Sequence, residues 1–118
     1  MSFKSNPAMA RLMADIVVGS DKNRHEIAIA VGDSLRIGLA ERQSDFRWQM
    51  EPSSLQGISA LRLQSVDHQL EGREGGSGRR VFHFSAEAAG QATLRFELAP
   101  IWEGETARET FAIAVDVR

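Results

Sequence analysis

Apolar residues recur at every second position along most of this chain. Ile27, Ile29 and Val31 alternate with Glu26, Ala28 and Ala30, and Leu35, Ile37 and Leu39 alternate with Ser34, Arg36 and Gly38. Phe46, Trp48 and Met50 keep the same step, as do Phe82 and Phe84 around His83, and Leu94, Phe96 and Leu98. The clearest run closes the chain: Phe111, Ile113, Val115 and Val117 against Ala112, Ala114, Asp116 and Arg118. Strands with one face in a core and the other in water produce this period. Turn signals separate the runs at Gly19-Ser-Asp-Lys-Asn, Gly32-Asp-Ser, Glu51-Pro-Ser-Ser, Ala88-Ala-Gly-Gln and Gly72-Arg-Glu-Gly-Gly-Ser-Gly. In the middle, Leu61 and Leu63 are out of step with Val66, His68 and Leu70, which predicts a bulge near Ser65.

Seven or eight such strands, with no stretch long enough for helical crossovers, predict an all-β fold, an antiparallel β-sandwich. Its core is expected to hold Phe46, Trp48, Phe82, Phe84, Phe96, Phe111 and Ile113. Residues 1–12 are polar and mixed and read as a flexible lead-in, with Pro7 placed to open a single helical turn; residues 13–118 read as one domain.

Composition narrows the chemistry. At 118 residues, 42% of them hydrophobic and 25% charged, the chain can bury one core without staples. A net charge of −2 gives no field for polyanions, so no nucleic-acid partner is expected. The absence of cysteine excludes disulfides, thiolate metal sites and a cysteine nucleophile. No apolar run approaches the roughly 20 residues of a membrane-spanning helix, so no membrane role is expected. The N-terminus shows no signal peptide, which reads as cytoplasmic, or as periplasmic or secreted if a signal segment was removed.

No motif reads as catalytic. His25, His68 and His83 share no metal-ligand spacing, and His83 should face away from Phe82 and Phe84. The glycine run lacks the Gly-Lys-Ser/Thr ending of a phosphate loop and leads into a strand. Ser77 sits in no nucleophile elbow, the acidic residues form no dyad, and Arg79-Arg80 reads as a solvated strand start. No enzyme, cofactor or metal is expected. What stands out is three irregular segments, 40–45, 72–78 and 99–106, at alternate connections of the sandwich, where they can gather at one end. Trp102 lies in the third, outside the strand alternation, and is a candidate interface anchor or a residue folded onto the core edge.

From about Asp15 to Val117 these features resemble the chagasin family of cysteine-peptidase inhibitors. The resemblance rests on Val31-Gly-Asp-Ser-Leu before a strand, Phe46-Arg-Trp48 after the first segment, and Gly72-Arg-Glu-Gly75-Gly76 in the second. Arg80-Val-Phe-His-Phe-Ser-Ala, Ala88-Ala-Gly90 and Pro100-Ile-Trp102 in the third add to it. The family's Asn-Pro-Thr-Thr-Gly in the first loop is replaced here by Glu41-Arg-Gln-Ser-Asp45, without proline or glycine, and the third loop has no arginine. The resemblance implies an immunoglobulin-like sandwich, acting as a monomer, whose three end loops block the cleft of a papain-like cysteine peptidase. The implied contact residues are Gln43, Ser44, Asp45, Gly72, Gly75, Gly76, Pro100 and Trp102. Asp45 stands where glycine would allow positive φ. Glu41 and Arg42 are expected to be rim charges worth on the order of 1 kcal/mol or less. The alternative is a non-inhibitory immunoglobulin-like protein-interaction module with diverged loops.

Overall fold

The computed structural model describes residues 13–41, 45–70, 78–101 and 109–118. Eight strands follow one another: β1 (Asp15–Val18), β2 (His25–Ile29), β3 (Ser34–Glu41), β4 (Phe46–Met50), β5 (Leu61–Leu70), β6 (Gly78–Ala86), β7 (Gly90–Pro100) and β8 (Glu109–Val117). They form two four-stranded sheets, in the orders β1-β3-β6-β5 and β2-β8-β7-β4. Two short 3-10 turns, Ser20–Lys22 and Pro52–Ser54, are the helical elements among the described residues. The expected lead-in, residues 1–12, lies outside them.

The alternation seen in the sequence is the alternation of the sandwich. Leu35, Ile37 and Leu39 of β3 are buried, as are Phe82 and Phe84 of β6, Leu94 and Phe96 of β7, and Phe111, Ile113 and Val115 of β8. Phe82 of one sheet meets Phe96 of the other with ring centroids 4.8 Å apart, and Phe96 meets Phe111 at 5.9 Å, both pairs tilted. Such tilted pairs suit the ring quadrupoles; the first packs one sheet on the other, and the second joins neighbouring strands β7 and β8 of one sheet. All seven residues expected in the core are buried there. The predicted bulge is present: partners step from Leu63↔Phe84 to Ser65↔His83, leaving Gln64 as the extra residue.

Two expectations change. The sandwich is not antiparallel throughout, because β1 pairs with β3 and β2 with β8 in parallel register. These strands are consecutive but belong to opposite sheets, so the chain crosses the sandwich between them and each joins an edge. Arg24, with φ of 67°, turns the chain into β2 after that crossing. Val31 does not continue β2: it is 45% exposed, and its amide donates to the Arg118 carbonyl beyond the ladder.

Candidate functional site

Strand direction decides where the three irregular segments leave the sandwich. In one sheet Glu41, at the end of β3, pairs with Gly78, at the start of β6, and Gly78 also pairs with Leu70, the end of β5. In the other sheet Phe46, opening β4, pairs with Pro100, closing β7, and Leu98 pairs with Glu109 of β8. Glu41 and Phe46 are five residues apart, a reach of at most about 18 Å, while packed sheets stand about 10 Å apart. Both sets of strand ends therefore lie at one end of the molecule. The connections 42–45, 71–77 and 101–108 all depart from it.

This end is fixed by hydrogen bonds that cross between the sheets. The Glu41 carboxylate accepts from Arg80 Nε at 2.6 Å and Arg80 Nη2 at 3.0 Å in its own sheet. It also accepts from the backbone amide of Trp48 at 2.8 Å in the opposite sheet. His68 Nε2 on β5 stands 3.4 Å from the same carboxylate. The Trp48 indole returns the connection by donating to the Ala40 carbonyl at 2.9 Å. Beyond the strands, the Ile101 amide donates to the Asp45 carbonyl at 3.0 Å, tying the start of the third connection to the end of the first. Close packing adds to this at Gly78, where a Cβ would lie 2.5 Å from the Gln69 carbonyl oxygen.

Glu41 thus needs correcting twice. It belongs to strand β3 and not to an irregular segment, and it is buried at 4% exposure and not on a rim. The reason is its register: it follows Leu35, Ile37 and Leu39 onto the inward face, while exposed Ala40 points out. Arg80 is likewise no solvated strand start, since it shares the inward face with Phe82 and Phe84 and its side chain is 16% exposed. A buried carboxylate persists only when its lone pairs are filled, and Arg80 with the Trp48 amide does this.

The model of the chagasin family peptidase inhibitor I42 matches residues 28–115, about three quarters of the chain. The chain belongs to the chagasin family. Solved structures carry the same fold at low sequence identity. The cysteine protease inhibitor EhICP2 from Entamoeba histolytica is similar over 90% of this chain and 97% of its own, with 17% identity and a TM-score of 0.70. Amebosin is similar over 92% of this chain and all of its own, at 18% identity and a TM-score of 0.65. PbICP-C, solved in complex with falcipain-2, is similar over 90% of this chain and 91% of its own, at 11% identity and 0.53. No curated protein matches the chain in sequence.

Of the contact residues that the family resemblance implies, Asp45 and Pro100 are described. Asp45 is exposed in the turn before β4. Among the described residues Arg24 is the one non-glycine residue at positive φ, so Asp45 bears no left-handed strain. Pro100 is the buried last residue of β7, paired with Phe46, so it anchors the third connection instead of lying within it. Its neighbour Ile101 is the first exposed residue, at 57%. Gln43, Ser44, Gly72, Gly75, Gly76 and Trp102 lie outside the described residues. His83 faces outward as expected, its Nε2 2.8 Å from an Asp67 carboxylate oxygen. Among the described residues there is no cluster able to hold a metal ion, and no helix is long and apolar enough to cross a membrane.

Proposed function

We propose that this chain inhibits papain-like cysteine peptidases by inserting its three end connections into the active-site cleft. The observation that supports this most is the gathering of three connections at one end of a rigid sandwich, in a chain of the chagasin family. No chemistry by the inhibitor is required. A surface that fills the cleft beside the nucleophile excludes substrate, and it survives if it offers no peptide bond in attackable geometry. Glycines such as Gly75 and Gly76 let backbone lie close to a cleft wall. Trp102 is the candidate for a large rigid anchor, and Ile101 before it in the sequence is an exposed apolar residue. Because the strand ends are held by buried hydrogen bonds, less order has to be imposed on binding, and association is favoured accordingly.

An inhibition assay against papain and a cathepsin L-type peptidase tests the proposal. Tight, reversible inhibition is expected, and no inhibition at tens of micromolar would leave the non-inhibitory interaction module as the reading. Trp102→Ala is expected to weaken inhibition by about 2–4 kcal/mol, or roughly 30- to 1000-fold, with Tm unchanged. Unfolding of that variant would place Trp102 in the core, and parental inhibition would place recognition elsewhere.

A further inference from the structure

Between Glu41 and Phe46 the chain runs Arg-Gln-Ser-Asp, with no proline to fix φ. The structure describes the two ends of that connection, Glu41 and Asp45. The Glu41 side chain meets polar groups of β4, β5 and β6 together: the Trp48 amide, His68 Nε2 and the Arg80 guanidinium. Those strands, with β3 itself, supply the ends from which both the first and the second connection depart. A hydrophobic residue at position 41 would fill the same inward space, yet it could not fix the angle of the departing chain, since apolar contact has no direction. A carboxylate with bidentate geometry can.

Resting on the inhibitor reading above, we infer that Glu41 is a positioning residue for inhibition. Through Arg80 and the Trp48 amide it sets the relative placement of the strand ends that carry the first and second connections, without itself touching the peptidase. Arg80 is its obligatory partner. The pair serves orientation more than stability, because a buried ion pair contributes little net stability compared with a neutral replacement of similar shape.

The test uses the full chain with Glu41→Gln and the double variant Glu41→Gln/Arg80→Gln, which leaves no unpaired buried charge if the single variant folds poorly. Two readouts are taken together: the inhibition constant against papain, and amide hydrogen exchange. Faster exchange is expected at the Trp48 and Ile101 amides, near the departing connections. The Gly32, Ala86 and Arg118 amides, hydrogen-bonded at the opposite end, should keep parental rates. Inhibition is expected to weaken at least tenfold in both variants. Uniformly faster exchange would overturn the inference by showing a general stability role, and so would parental exchange with inhibition within about twofold of the parent. If the parent does not inhibit papain, the inhibitor reading falls, while selective exchange at Trp48 and Ile101 still decides whether Glu41 sets the strand ends.

Discussion

Single residues at the two ends of the sandwich carry different burdens. At the loop-bearing end, Gly78 has Gln69 backbone where a Cβ would stand and His68 Nε2 at 3.0 Å from it. Backbone cannot yield as a flexible side chain can, so Gly78→Ala is expected to lower stability by about 1–3 kcal/mol, the usual cost of overpacking. It should also weaken inhibition, because β5 and β6 must separate where the second connection departs. A parental Tm and inhibition constant would show that the strands part freely there. On the outer face, Asp15 accepts hydrogen bonds from Arg36 and Ser34, which hold its carboxyl below the ordinary value of 3.8. A lowered folded-state value stabilises the fold above 3.8 and is lost as the pH falls through the depressed value. Asp15→Asn should therefore lower Tm slightly at neutral pH, with the gap closing as the pH drops below 3.8. A gap that persists in acid would show that the hydrogen bonds, and not the charge, account for it.

At the scale of the element, β5 shows how one inserted residue reconciles two apolar registers. Leu63 pairs with Phe84 and Val66 with Phe82, so the two share one face of the sheet, and Gln64 takes up the extra step. Val66, toward the strand end, stays 42% exposed. Deleting Gln64 would leave Leu61, Leu63, Val66 and His68 in unbroken alternation. Deleting Asp67 would instead turn His68 away from Glu41 and slip the remainder of the strand to the wrong face. The first deletion is expected to be tolerated with a small loss of Tm, including that of the Gln64–Ser85 hydrogen bond at 2.7 Å. The second should weaken inhibition strongly even where the protein folds. Comparing melting temperatures and inhibition constants of the two deletions checks this, and equal effects would mean that register in β5 does not matter to the loop-bearing end.

Across the whole molecule, stability and recognition are separated by length. Asp33 is buried just ahead of β3, and its carboxylate accepts from the Ala14 amide at 2.9 Å and the Ala30 amide at 2.8 Å. Its carbonyl also receives the Ala86 amide at 2.9 Å, which closes the far end of the sandwich. At the rise of an extended strand, Asp33 lies roughly 27 Å from Glu41. Asp33→Ala strands two amide donors and is expected to cost about 2–6 kcal/mol, at about 1–3 kcal/mol for each group left unsatisfied. Inhibition measured well below the lowered Tm should stay parental. A parallel loss of inhibition would mean that the sandwich transmits strain along its full length.

The sequence by itself determined the fold class, the core and the bulge, because burial on one face of a strand imposes a period of two that each residue reports locally. The inward register of Glu41 and Arg80 was legible by the same rule, as continuations of Leu35-Ile37-Leu39 and of Phe82-Phe84, but charge at those positions argued for the surface. Only the tertiary structure decided otherwise: β3 and β6 bring the two charges together, and β4 supplies the Trp48 amide. Pairing across strands 39 residues apart in sequence leaves no local signal. The parallel edges were hidden for a related reason. Alternation tells which face of a strand is buried and says nothing of which neighbour it meets, so the crossing between β1 and β2 was settled only by how the two sheets pack.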